Sequence, residues 1–306
     1  MASWLAHPRY VPVREGLINH LRKTRYRFRK LDPVIFLCGA NESKSRDAVR
    51  QYLARHIPGL DVFYAEKVWR EIVSLGERDA LQMEEDLAKL ADLIIVIVES
   101  AGTLTELGAF SLSPSLRQKL LPIVDEVHRY DASFVKTGPL HWIDKESVFA
   151  PTIYTNLSMV LSAADQIEER IKRIPEPHSI KIEDLSSSPK HLLFFLYDLI
   201  SVIHPASLPM ISSYVSAIVP TLADSAIDIA TLVGLAVAMG LLRRLAISVG
   251  DRSEVFYAPI DINRIGRPFH HSRFLYLESR RAEHASVILS IPEARTVAEA
   301  FMRKDD

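Results

Sequence analysis

One cysteine, Cys38, is all that the 306-residue sequence carries, which excludes an internal disulfide and any cysteine-rich zinc cluster. No apolar run reaches the roughly 20 residues that a membrane-spanning helix needs; the most hydrophobic stretches, Leu90 to Val98 and Ile227 to Leu242, are too short, so a bilayer is not an expected partner. Net charge is scarce as well: 37 basic against 38 acidic residues leave −1, which by itself names no ligand. No cleavable signal is visible at the start, so a reducing cytoplasm is the expected compartment. His128, His141, His191, His204 and the pair His270-His271 never fall at a metal-binding spacing with other ligands, and no metal is expected. GANESKS, residues 39–45, has neither the glycine pattern of a dinucleotide fold nor the GK[ST] ending of a P-loop, which argues against hydride transfer and ATP hydrolysis.

What is present is an ordinary globular composition, 48% hydrophobic and 25% charged. The length suits one large α/β unit with a smaller module beside it. VIFLC at Val34 to Cys38 is apolar throughout and ends on Gly39, the pattern of a central parallel strand covered on both faces. Ser45 is the expected cap of a helix reaching Ala54 or His56, and Pro58-Gly59 separates it from a strand at Asp61 to Phe63. A helix over Gly76 to Leu90, a buried strand at Leu93 to Val98, a helix over Thr103 to Leu112 and a strand at Leu120 to Val124 continue the alternation. The expected fold is a Rossmann-like parallel sheet with flanking helices, whose ligands lie beyond the carboxyl ends of the strands.

A long helix from Leu157 to Ile174 precedes PEPHSIKIEDLSSSP, where periodicity breaks. The chain is therefore divided into a basic arm or helix over 1–31, a catalytic domain over 32–175, a linker over 176–188 and a second domain over 189–306. In the second domain, helices near Lys190 to Ile203, Leu208 to Asp224 and Asp228 to Leu242 precede β segments at Ala246 to Val249 and Glu254 to Tyr257, the outline of a winged helix. The last forty residues show a milder α/β texture, Phe274 to Leu277 and then VILSI at Val287 to Ile291, which either closes this domain or makes an oligomer contact.

Residues 1–31 hold eight Arg or Lys against the single acid Glu15. They form either a solvated arm or first helix, or a contact for nucleic acid or an acidic partner through residues such as Arg22, Lys23 and Arg25. The third helix of the second domain carries little charge before Arg243 and Arg244, unlike a helix that reads the major groove. Arg243, Arg244, Arg252, Arg264 and Arg267 are the phosphate candidates there, with protein docking as the other reading.

ESAGTLTELGAF, Glu99 to Phe110, is the densest chemical signal, because a buried strand ends in a glycine turn that opens a helix. Gly102 permits close backbone approach, Thr103 is the expected cap with its amides open to an anionic or sugar oxygen, and Glu106 falls in the first turn. Thr103 and Glu106 also satisfy capping-box spacing, so capping and catalysis both stay open for Glu106. A carboxylate beside an N-glycosidic carbon can stabilise an oxocarbenium-like ribose or attack it. Asp86, on the preceding helix, either holds sugar hydroxyls or is an exposed helix residue; Asp92 reads as a strand cap. Gly39 and Asn41 in the first loop are candidate substrate contacts, and Tyr64 and Trp69 either stack on a ring or close the core.

VIFLCGA, DVFYAE, VESAGTLTELGAFS and KLLPIVD together resemble the nucleoside 2-deoxyribosyltransferase-like effectors encoded beside retrons, toxins of bacterial anti-phage systems. The resemblance implies that Glu106 carries glycosidic chemistry, that Asp86 binds substrate, and that NAD is cleaved as a substrate rather than held as a cofactor. It also implies a C-terminal winged helix, and as partners a reverse transcriptase and its multicopy single-stranded DNA joined to structured RNA. Deoxyribosyltransferases proper place an aspartate just before the glycine turn, where this chain has Glu99, Ser100 and Ala101; that departure weighs against true base exchange. The alternatives are a nucleoside or nucleotide N-glycosidase or deoxyribosyltransferase, and a non-catalytic nucleic-acid or protein adaptor.

Overall fold

A computed structural model describes residues 3–23, 33–64, 90–176, 180–224, 228–249, 252–260 and 277–303. The chain forms two compact units, one from residues 32–177 and one that joins residues 1–31 to 178–306.

The first unit is built on five parallel strands in the order β2-β1-β3-β4-β5: β1 Val34–Cys38, β2 Asp61–Tyr64, β3 Leu93–Val98, β4 Leu120–Asp125 and β5 Ile153–Thr155. The apolar runs of β1 and β3 occupy the middle because strands covered on both faces must be hydrophobic at every position. Ile35 and Leu37 pack on one face with Val49 and Leu53 of the helix Lys44–His56 and with Ile167 and Ile171 of the helix Ala164–Ile171. Phe36 points to the opposite face, where it stacks on Phe63 (5.2 Å) and meets Phe110 (6.1 Å) of the helix Ala101–Leu112. The strand expected at Leu120 to Val124 runs one residue further, and β5 is an addition to the expected set.

Several local expectations need correction. Ser43, not Ser45, caps the first helix by accepting the Arg46 amide, at 3.0 Å, and Ser45 instead donates to the Leu157 carbonyl. The helix expected over Leu157 to Ile174 is a 3-10 segment, Leu157–Ala163, followed by Ala164–Ile171, because Met159 has non-helical angles (φ −126°, ψ 43°). The expected Gly76 to Leu90 helix lies outside the described residues except for its last one.

In the second unit the order is helix Pro189–Ile203, β6 Ala206–Ser207, helix Leu208–Ile218, helix Ile229–Ala238, β7 Leu242–Val249 and β8 Arg252–Pro259. The three strands pair antiparallel in the order β6-β8-β7. The third helix is shorter than the expected Asp228 to Leu242 because Gly240, at φ +71°, ends it in the left-handed conformation that glycine adopts at no steric cost. Amides of Gly240 and Leu241 then close back on the Val237 and Ala236 carbonyls, and the freed chain enters β7. VILSI is not a strand: Val287 to Ser290 complete the helix Leu277–Ser290, and Pro292 starts the helix Pro292–Met302, with Ile288, Ile291, Ala294 and Val297 buried.

Residues set apart in the sequence as a basic arm supply the helix Tyr10–Lys23, which packs against the helices 208–218 and 277–290 of this unit. Tyr10, Leu17 and Leu21 are buried, Trp4 stacks on Phe256 (5.5 Å), and the Tyr214 hydroxyl donates to that of Tyr10 (3.1 Å). No helix among the described residues is long and apolar enough to cross a membrane.

Candidate functional site

Chain order reverses between β1 and β3, so the crevice outside their carboxyl ends is where a doubly wound sheet places its ligands. On the β1 side, Gly39 lies against the helix Lys44–His56: a Cβ built there would stand 2.8 Å from Cβ of Arg46, so any side chain would push the loop away. Asn41 is exposed at the loop's tip, beside Glu42, whose φ of 56° is uncommon for a residue with a side chain. On the β3 side, Glu99 reaches across the reversal and accepts the Ala40 amide through Oε1, at 2.9 Å. That bond ties the two loops of the crevice together.

The helix 101–112 is capped three residues earlier than the sequence suggests. Ser100 is the cap, accepting the Thr103 amide (3.2 Å), and Thr103 returns the contact in a capping box. Thr103 is buried, and its hydroxyl accepts the amides of Glu99 (3.1 Å) and Ser100 (3.0 Å) while donating to the Ser100 carbonyl (3.0 Å). Its oxygen therefore holds the turn together. Gly102 is exposed at the helix start, with only Ser100 Oγ, at 3.6 Å, near where a Cβ would be.

Because the cap is Ser100, Glu106 is not the capping-box partner; it stands in the second turn and is half-buried. At 100° per residue, Glu106 and Leu104 leave the helix about 200° apart, whereas Glu106 and Phe110 share a flank. Phe110 meets Phe36 of β1, so Glu106 belongs to the flank on the β1 side of the reversal.

Leu104 lines the other side, a cleft of about 530 Å³ beyond β3 and β4 whose polar walls include Glu99, Asp125, His128, Asp131 and Lys136. Nδ1 of His128 lies 2.7 Å from Asp131 Oδ2, Asp125 accepts the Val127 amide (3.1 Å), and Lys136 donates to the Arg129 carbonyl. Glu106 is not among the residues lining this cleft. Its 125–136 rim has neither motif nor periodicity by which it could be found from the sequence, and Glu99 stands out there only as a departure from the deoxyribosyltransferase pattern.

Tyr64 is packed by the protein itself. The guanidinium groups of Arg46 and Arg50 stand 4.3 and 4.9 Å from its ring centroid, its hydroxyl donates to Asp47 (3.0 Å), and burial raises its phenol above the ordinary range. A ligand ring stacked on it would have to displace an arginine. Asp86, Trp69, Arg25, Arg264 and Arg267 lie outside the described residues. Asp92 is a strand clasp, as expected: its carboxylate accepts the Val34 amide, at 2.8 Å. Cys38 is buried, and among the described residues no group of three or more His, Cys, Asp or Glu could hold a metal.

The basic candidates of the second unit are dispersed. Arg22 is exposed on the helix 10–23, which Lys23 ends. Arg243 and Arg244 are half-buried on β7, and Arg252 opens β8 opposite Val249. Arg243 lies 5.3 Å over the Phe301 ring, turned into the unit's packing.

A parallel sheet whose two loops at the chain reversal are tied through Glu99, with a cleft beyond β3 and β4 beside them, defines the broad class, a doubly wound α/β protein. The STM3845 retron effector protein family matches residues 42–244, well over half of the chain, and the chain belongs to that family. Two Escherichia coli relatives carry the description of candidate ribosyltransferase/DNA-binding protein. That of retron Ec86 is 38% identical over 136 residues, 43% of this chain and 44% of the relative. That of retron Ec73 is 36% identical over 121 residues, 37% and 38% of the two chains. The chain thus spans less than half the length of each of these relatives.

Proposed function

We propose that this retron effector cleaves an N-glycosidic bond, with NAD as the substrate and nicotinamide and ADP-ribose as the products, and that Glu106 carries the chemistry. The observation that carries the reading is a half-buried carboxylate one turn beyond a capped helix start, on the flank facing β1 where the sheet reverses. A carboxylate so held can stabilise positive charge at the anomeric carbon as the bond to nicotinamide breaks, or bond to that carbon transiently. Water then adds its hydroxyl to the carbon and releases a proton, completing hydrolysis.

The other groups act on position. The Glu99 to Ala40 bond fixes the spacing of the two loops, Gly39 and Gly102 let backbone approach ribose or phosphate, and Asn41 is free at the loop tip to meet a polar group. Asp86 is assigned ribose binding on the strength of the resemblance, and Trp69 ring stacking on its place after the strand Asp61–Tyr64. The second unit, with its helix-strand-helix-helix-strand-strand order, is read as a winged-helix-like module that docks the reverse transcriptase and its single-stranded DNA joined to structured RNA, which restrain the toxin.

Purified protein incubated with NAD, and in parallel with mixed nucleosides and a free base, is assayed by chromatography. The expected result is nicotinamide release without base exchange, and a loss of roughly 10²- to 10⁴-fold in Glu106→Gln with the fold retained by circular dichroism. Full turnover by that variant removes Glu106 from the reaction. Sugar release or base exchange from nucleosides, with NAD left intact, moves the substrate assignment to them. No product from any of these substrates returns the chain to an adaptor role.

A further inference from the structure

The cleft of about 530 Å³ beyond β3 and β4 has the size of small-molecule sites, which run from about 300 to 1,000 Å³. Val98 and Val124 at the strand ends, Leu104 of the helix 101–112, and Val135 and Leu140 beyond β4 give it hydrocarbon walls. Leu104 is 43% exposed, so solvent reaches the cleft along it. Glu106 is not among the lining residues, and the cleft stands apart from the group that the glycosidase reading uses.

Two carboxylates of the lining are placed by the register of the sheet. Val98 pairs with Val124, so Glu99 and Asp125, one residue further on each, leave adjoining strands side by side, at a strand spacing of about 4.8 Å. Each is fixed through one oxygen on a backbone amide, Glu99 on Ala40 (2.9 Å) and Asp125 on Val127 (3.1 Å). A carboxylate accepts about four hydrogen bonds, so both keep acceptor capacity for a ligand. His128 and Asp131 line the cleft as a hydrogen-bonded pair (2.7 Å), and Lys136 is drawn onto the Arg129 carbonyl. Neighbouring carboxylates repel each other, and two adjacent hydroxyls donating to them would offset that repulsion through charge-assisted hydrogen bonds.

We propose that this cleft binds a nucleoside, the two ribose hydroxyls on Glu99 and Asp125 and the base against Val98, Leu104 and Leu140. A vicinal diol joined to a heterocycle meets both parts of the lining, whereas ribose alone leaves the hydrocarbon uncovered and a free base leaves the carboxylates unmet. Strand-end carboxylates hold ribose hydroxyls in other doubly wound folds by the same chemistry.

Adenosine is the probe, titrated by calorimetry into the full chain and into its Glu106→Gln variant, with 2′,3′-dideoxyadenosine, ribose and spermidine as comparisons. Saturable adenosine binding is expected in both proteins with equal affinity. It should be about tenfold or more tighter than that of any comparison, the change that loss of one charge-assisted hydrogen bond brings. Leu104→Trp, at a half-exposed lining position, should weaken adenosine about tenfold or more by filling the cleft. Asp125→Asn, whose side-chain oxygen can still accept the Val127 amide, should lose most of the preference for adenosine over its dideoxy analogue. Any comparison binding as tightly as adenosine, unchanged affinity in Leu104→Trp, an undiminished preference in Asp125→Asn, loss of binding in Glu106→Gln, or no binding up to solubility would each overturn the proposal. None of these outcomes depends on turnover, so nicotinamide release from NAD succeeds or fails separately.

Discussion

Replacing Thr103 by valine keeps the side chain's shape and removes one oxygen, and that oxygen makes four hydrogen-bond contacts inside the turn from β3 into the helix 101–112. A typical intramolecular hydrogen bond contributes about 1 kcal/mol net, and a buried partner left unpaired costs about 1–3 kcal/mol. Glu99 and Ser100 are half-exposed, so water can take over part of what their amides lose. The expected cost of Thr103→Val is therefore about 2 kcal/mol. Thr103→Ser is the complement: it keeps the oxygen and gives up one buried methyl, worth about 0.8 kcal/mol. Urea unfolding followed by tryptophan fluorescence in a Trp4→Phe background confines the signal to residues 32–177, where Trp69 and Trp142 lie. Valine must be the more damaging substitution by about 1 kcal/mol. If serine costs as much as valine, the hydroxyl is not what holds the turn, and the placement of Glu106 one turn further on would need another cause.

Two other substitutions report on separate links. Gly39→Ala would set a Cβ 2.8 Å from Cβ of Arg46 and should cost about 1–3 kcal/mol by forcing the loop off the helix; an unchanged midpoint for the first unit would show that the loop yields freely. His204 titrates at about 4 when folded against 6.5 ordinarily, so the unfolded chain takes up its proton first as the medium is acidified. Stability of the second unit should be full above about pH 7 and fall between about pH 6.5 and pH 4, by at most about 3 kcal/mol at 1.36 kcal/mol per pH unit. Urea midpoints at several pH values measure this slope, and His204→Gln should flatten it; an identical slope in that variant would assign the effect to other groups.

The buried strands were legible because a strand covered on both faces must be apolar at each position, as VIFLC and LIIVIV are. Two- and three-residue strands such as β6 and β5 leave too few side chains for a period to register. VILSI has β-branched residues yet lies in and just after a helix, because Ile288 falls four residues after the buried His284 and tertiary burial overrides local preference. At the site, the residues of the turn were legible as a motif, but the choice between Ser100 and Thr103 as cap was not, since both are good caps three residues apart from a plausible partner. The flank on which Glu106 stands depends on that choice and on which strand Phe110 meets. Arg243 was visible as a basic residue; that it shares a cavity with Arg281 depends on the packing of the C-terminal helices, which no local pattern encodes.

The third helix of the second unit bears on how a protein with relatives described as DNA-binding could meet nucleic acid. IATLVGLAVA contains no charged residue, and Leu232 to Ala238 are all buried, so this helix serves as core and presents nothing that could read base edges in a major groove. Its cap, Asp228, is acidic and binds the amides of Ala230 and Thr231, which places negative charge at the end that a groove-reading helix usually offers to DNA. Of the basic residues on β7, Arg243 is turned onto Phe301, while Arg22 is exposed on the helix 10–23 of the same unit. Contact with a retron's nucleic acid through this unit would therefore be made with phosphates and shape rather than with sequence, and its affinity would fall steeply with salt while varying little with the bases offered.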